Sequence, residues 1–369
     1  MIRPALISLA LMVGAPMALA TEGERLTTSA GQVEVTRIVP DLDEPWAFGF
    51  LPEGGVLITE RGGRLWHVDP DGQRQSVSGL PRVARGGQGG LLDVLIPRNF
   101  AQTRQIVLTY ARPQGSGAGT AVAVATLSQD GARLDDTTTI FETEPGDRGG
   151  RHFGSRVVEG RDGFLYVTIG DRGDDDSAQD LGTQNGSVIR IGRTGGVPSR
   201  NPFIDTAGAQ PEIWSYGHRN PQGATLDLEG NLWVVEHGAR GGDEINPIRR
   251  GANYGWPVIS YGRHYSGLRI GEGNSKPGME QPAHFWDPSI APSGMMIYSG
   301  ALWPEWRGDF FVGSLKFGYL SRLEAGSFAE EEIEGDSTAR LRDVREGPDG
   351  AIWFLSVGNG ALYRMTPAQ

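Results

Sequence analysis

The sequence predicts an all-β protein, a six-bladed β-propeller with long inter-strand loops. Three observations lead there. The 56 glycines of the 369-residue chain follow no three-residue collagen period and fall between short apolar runs, where turns between strands need them. A glycine- or acid-containing turn leading into a short apolar strand recurs six times. No long stretch carries a 3.6-residue apolar period, so helix is scarce.

The elements follow in chain order. Residues 1–20, MIRPALISLALMVGAPMALA, combine Arg3, an apolar run and the small-x-small end Ala18-Leu19-Ala20. This is the pattern of a secretory signal peptide cut after Ala20, leaving residues 21–369 as a single propeller domain. A buried N-terminal helix would need a polar face, and none interrupts the run. The strand near GQVEVTRIV is expected to complete the last blade and close the ring. The six units begin at Leu51 (LPEGGVLIT), Arg98 (RNFAQTRQIVLTY), Glu159 (EGRDGFLYVTIG), Asp227 (DLEGNLWVVE), Glu305 (EWRGDFFVGSL) and Gly347 (GPDGAIWFLSV). A second strand follows most of them: GRLWHVDPDG, AVAVATLSQDG, GSVIRIGRTGG, GYLSRLEAGSF and GALYRM. The fourth partner, DEINPIRRGANYG, is less regular. Val, Ile, Leu and aromatic residues between Asp-Gly and Gly-Gly turns favour hairpins. The units stand roughly 40 to 80 residues apart, so long loops are inserted between strands. A two-sheet sandwich is the alternative architecture.

Composition narrows the function. Charged residues make up 21% of the chain and hydrophobic ones 38%, as in a globular protein. After the leader no run approaches the ~18 apolar residues of a membrane span. The formal net charge of -11 argues against nucleic acid as a partner. The absence of cysteine excludes thiol chemistry and cysteine-ligated metal. There is no G-x-G-x-x-G after a strand, no G-x-S-x-G elbow and no H-E-x-x-H helix. The run beginning at Asp171 (DRGDDDSAQDLG) lacks the glycine and glutamate an EF-hand requires.

Five segments carry polar groups that neither a turn nor a strand needs. They are GGQGGLLD with Gln88, GGRHFGSRV with His152, and GHRNPQG with Arg219 and Asn220. The others are VGSLKFGYL with Lys316 and ARLRDVREGPDG with Arg340 and Arg342. Taken singly, each reads as a loop histidine or a solvated charge. A propeller gathers the loops of one end around a common axis, so residues hundreds apart can meet there.

Together, from Gln88 to Arg342, these motifs and their order resemble the soluble quinoprotein sugar dehydrogenases, the pyrroloquinoline quinone (PQQ) glucose/sorbosone dehydrogenase family. GHRNPQG, GARGGDEIN…GANYGWP and RLRDVREGPDG are the most specific parts. The compact length is most similar to the bacterial aldose sugar dehydrogenases. The resemblance implies a six-bladed propeller, in agreement with the repeat count. PQQ is a planar ortho-quinone with three carboxylates, which suit guanidinium and ammonium partners. By that match Arg219, Asn220, Lys316, Arg340 and Arg342 hold PQQ, with Gln88 beside it. The carbonyls of Gly238 and Ala239 carry the cofactor's calcium, and Glu244 with the backbone of Tyr254 a second, structural one. Calcium prefers such hard oxygen ligands. The Gly-Pro of better-known members is Gly-Ala here.

His152 is then the general base on the anomeric hydroxyl, and Asp171 matches an acidic residue facing the sugar. Hydride from sugar C1 reduces the quinone, Arg219 steadies the charge developing there, and a lactone leaves. The expectation is a periplasmic, PQQ- and calcium-dependent aldose dehydrogenase, monomer or homodimer, passing electrons to an unidentified acceptor. Two rivals stand beside it: a calcium-dependent sugar lactonase, which needs no cationic cluster, and a non-catalytic carbohydrate-binding propeller.

Overall fold

The computed structural model describes residues 23–368. The expected leader, residues 1–20, lies outside them. Among the described residues twenty-five strands form six antiparallel sheets. Counting from the inner edge of each sheet, the first strands are Pro45–Phe50, Leu91–Leu95, Val157–Glu159, Pro221–Leu226, Pro292–Ile297 and Leu341–Glu346. The first strand of each sheet contacts that of the next, and the sixth contacts the first, so the sheets close a ring as the blades of a propeller.

The six recurring units occupy one place in this ring. They supply the second strands: Val56–Glu60, Gln105–Gln114, Leu165–Ile169, Leu232–Glu236, Phe310–Ser314 and Ile352–Ser356. Their hairpin partners are the third strands, including Asp243–Pro247 in blade 4. These positions are buried between blades on both faces, which is why they read as apolar runs. The first strands escape that pattern because polar residues such as Asp93, Glu159, Gln222, Ser293, Arg342 and Asp343 interrupt most of them.

Gly31–Val39 pairs with Ala361–Pro367 and completes blade 6, as expected, and Glu24–Thr28 adds a fifth strand outside it. Joining the two ends of the chain in one sheet fastens the ring.

A buried ion cluster fills the axis. Arg156 Nη1 lies 3.1 Å from Asp93 and 3.2 Å from Asp343. Arg345 reaches the same carboxylates at 2.6 and 2.9 Å. Asp93, Arg156 and Asp343 come from blades 2, 3 and 6 and are almost fully buried. Two cations stand against two anions, with Arg156, Asp93 and Asp343 buried and Arg345 partly exposed.

Alternation of strand direction puts the starts of the first strands and the ends of the second strands at one end of the ring. Gln88, His152, Arg219 and Arg340 precede first strands, while Asp171, Gly238 and Lys316 follow second strands. Residues from five blades thus meet at that end.

Candidate active site

A cavity of about 790 Å³ opens at that end, in the upper part of the range for pockets that bury a drug-sized ligand. Gln88, Gly238, Ala239, Lys316, Arg340 and Arg342 line it, together with Trp46, Gln222 and His237. Lys316 and Arg340 donate to backbone carbonyls, Lys316 Nζ to Ser289 O at 3.0 Å and Arg340 Nη1 to Leu315 O at 3.3 Å, and Lys316 Nζ also lies 4.6 Å from the centroid of the Phe317 ring. Arg342 Nη1 donates to Gln222 Oε1 at 2.6 Å. Burial, then the guanidinium groups of Arg156, Arg340 and Arg61, push the pKa of Arg342 down. These causes all penalise its charge, and an anion in the cavity would offset them.

Arg219, Asn220 and His152 stand behind the wall, each bonded to a residue that lines it. Arg219 is 7% exposed, its Nη1 donates to the carbonyl of Gly238, and its guanidinium lies over the Trp256 ring at 5.2 Å. The Arg219 Nε is buried without a partner. Asn220 accepts the His237 amide on its carbonyl at 3.1 Å and the Gly154 amide on Oδ1 at 3.2 Å. Among the described residues Arg219, Lys316, Arg340 and Arg342 form no ion pair, although Arg61 at the same cavity is paired with Glu44 at 2.5 Å.

His152 takes a left-handed backbone, φ 53°, and donates its amide to Gln88 Oε1 at 2.7 Å. The two loops touch closely. Gly87 also has positive φ, 55°, and a β-carbon there would lie 2.0 Å from Gly150 O. The His152 ring is aimed by Asp171, whose Oδ1 is 2.6 Å from Nδ1. Asp171 Oδ1 also accepts the Gly173 amide at 2.7 Å, and its Oδ2 accepts Trp256 Nε1 at 2.9 Å. With Nδ1 against a carboxylate, the lone pair of the neutral ring sits on Nε2, which no described side chain or backbone group bonds.

The expectation set Asp171 against the sugar. Asp171 lies behind His152, fully buried with both oxygens engaged, and is not among the residues that line the large cavity.

Glu244 and Tyr254 stand apart from the large cavity. They border a small void with Glu236, Gly217, Gly242 and Trp256. Burial, then the neighbouring Glu236, pushes the Glu244 carboxyl up to about 8. Among the described residues its only bonded side chain is Asn246, through Nδ2 at 3.2 Å, and Asn246 Oδ1 is buried without a partner. Glu236 meanwhile holds His218 Nδ1 at 2.8 Å and the Arg219 amide at 2.7 Å. An under-bonded carboxylate beside an orphan amide oxygen suits a hard cation. Among the described residues no three His, Asp or Glu side chains group as ligands, so carbonyls would complete any such site.

The functional motifs contained more than was read from them. Gln222, His237 and Trp256 sit inside GHRNPQG, VVEHGARGG and GANYGWP, and their spacing beside the flagged residues was the available signal. Trp46 carries no such signal, because its first strand repeats no pattern. Trp286 lies outside the cavity, its Nε1 donating to Glu330 Oε1 at 3.0 Å.

Residues 42–364 match the family model for glucose/sorbosone dehydrogenase. The aldose sugar dehydrogenase YliI of Escherichia coli K12 is 42% identical over 93% of this chain and 95% of its own length. A solved apo-form soluble aldose sugar dehydrogenase from Escherichia coli superposes with a TM-score of 0.87 at 39% identity, covering 91% of this chain and 100% of that one. A PQQ-bound aldose sugar dehydrogenase from Streptomyces coelicolor has the same fold, with a TM-score of 0.76 at 24% identity and coverage of 90% and 98%.

Proposed function

The chain belongs to the glucose/sorbosone dehydrogenase family, and we propose that it is an exported, periplasmic quinoprotein that oxidises aldoses at C1 to lactones. The observation that carries this reading is a set of cations, Lys316, Arg340 and Arg342 lining the cavity and Arg219 behind its wall, none of them paired with a carboxylate among the described residues of a chain of net charge -11. A cofactor with three carboxylates is the complement of such a set. A lactone-hydrolysing propeller has no use for it.

The donor set fits PQQ. Arg340, Arg342 and Lys316 would hold it, with Gln88 at one side and Arg219 and Asn220 behind Gly238. It fits calcium as well, through the carbonyls of Gly238 and Ala239. Calcium at Gly238 would replace the Arg219 hydrogen bond and free that guanidinium for the cofactor. A second calcium would take Glu244 and the Tyr254 carbonyl. When bound, PQQ supplies the hydride acceptor and its calcium a Lewis acid beside it.

This chain's residues do the rest. His152 Nε2 takes the proton of the anomeric hydroxyl, and Asp171 holds the opposite nitrogen and stabilises the imidazolium that forms. Trp256 fixes Asp171 by its indole N–H. The arginines hold negative charge at the cavity wall.

The test is reconstitution. Protein purified from a host without PQQ is expected to be inactive and to gain glucose oxidation, followed with a small dye acceptor, on adding PQQ and calcium. Calorimetry should show PQQ binding at micromolar concentration, weakened roughly tenfold or more by Lys316→Ala, which removes a charge-assisted bond. No binding would sink the assignment.

A further inference from the structure

Between blades 4 and 5 a groove of about 510 Å³ runs down the outer wall from the cavity rim. Pro288 lines both, and Lys316 of the cavity is followed by Phe317 of the groove. Its apolar side is Trp286, Ile290, Phe317 and Tyr319. Phe317 is 47% exposed, its ring parallel to Tyr319 at 6.2 Å.

The facing side is the outermost strand of blade 5, Glu330–Glu334. Alternation turns Glu330, Glu332 and Glu334 into the groove and Ile333 into the core. Glu331 points the other way and is paired with Arg322 at 2.6 Å. The three groove glutamates are exposed and, like Asp287 at the upper end, form no ion pair among the described residues. Glu330 accepts only neutral donors, Trp286 Nε1 and Ser321 Oγ.

Uncompensated carboxylates facing an aromatic wall ask for a cationic partner. The exposed ring of Phe317 favours a protein surface over a small ion, since a hydrated ion gains nothing from it. We propose that this groove docks the electron acceptor, a small redox protein with lysines around the exposed edge of a one-electron cofactor. The proposal rests on the reading above, in which the adjoining cavity oxidises sugars. Each sugar oxidised delivers two electrons and two protons. Two oxidised acceptor molecules dock in turn, each leaves with one electron, and the two protons pass to solvent. Electron-transfer encounters of this kind are small, below about 1,200 Å², and draw their rate from charge complementarity.

The probe is horse-heart cytochrome c, a cationic one-electron haem protein, with the PQQ- and calcium-loaded enzyme and glucose. Steering of this kind raises on-rates by about 10–10³, so reduction of cytochrome c should fall at least about tenfold between 10 mM and 300 mM salt. The double variant Glu332→Gln/Glu334→Gln should lose a similar factor at low salt and little at high salt. Its rate with ferrocenium-methanol, a small acceptor, should match wild type. Oxidised cytochrome c should also bind the cofactor-free protein by calorimetry at low salt, and the variant should not. Equal cytochrome c rates for variant and wild type at low salt, or equal binding, would overturn the docking surface. If no acceptor is reduced, the proposed function fails, and the binding measurement on cofactor-free protein still decides the groove.

Discussion

His152 is held from two sides, its amide on Gln88 and its ring on Asp171. Gly170 adds a third restraint, because a β-carbon there would lie 2.1 Å from His152 O. A histidine so constrained is suited to one proton transfer rather than to packing. His152→Gln keeps a hydrogen-bonding side chain without a base, so kcat per bound PQQ should fall by about 10²–10⁴. PQQ affinity, measured by calorimetry, should change little. A kcat within a few-fold of wild type would take His152 out of the chemistry. The histidine was legible as a polar oddity in a glycine-rich segment, and Asp171 only through the family resemblance. What each faces was not: Asp171 meets His152 and Trp256 only because loops from blades 3 and 4 fold against each other.

At the scale of elements, blade 4 carries the long excursion between Asp243–Pro247 and His284–Trp286. Glu244 on the first of these strands should be tested with calcium. Glu244→Gln removes a buried carboxylate that Glu236 opposes, so the metal-free protein should melt no lower than wild type. Its melting temperature should no longer rise with calcium, the rise wild type owes to a ligand bound only when folded. A full calcium response in the variant would remove Glu244 as a ligand.

His284, on the outer strand, lies 4.6 Å from the Trp286 ring and 5.9 Å from Phe328, centroid to centroid. Burial lowers its pKa, Glu330 opposing in part. A histidine depressed in the folded state is protonated more readily when unfolded, so its contribution is present above about pH 6.5 and lost below it. Stability should therefore fall between pH 7 and pH 5, and His284→Phe should shrink that fall. An identical fall in denaturation midpoint for both proteins would exclude it.

For the whole molecule, the axial ions and the closing strand hold the ring. Arg156→Met leaves Asp93 and Asp343 sharing Arg345 alone, and breaking a buried pair costs about 3–5 kcal/mol. The urea midpoint should drop accordingly with an unchanged slope; a shift below about 1 kcal/mol would show the axis to be solvated. The sequence by itself determined the six-fold repeat, its turns and the closing strand Gly31–Val39, because these depend on patterns only a few residues long. It also marked the cavity's Gln88, Lys316, Arg340 and Arg342, since a loop has no structural use for so many polar groups. The tertiary structure alone decided that Gln88, Gly238, Lys316, Arg340 and Arg342 share one cavity while Arg219 and His152 stand behind its wall. It alone decided that Asp93 and Arg156 meet Asp343 on the axis. Those contacts join blades far apart in the chain, and only closure of the ring sets their distances.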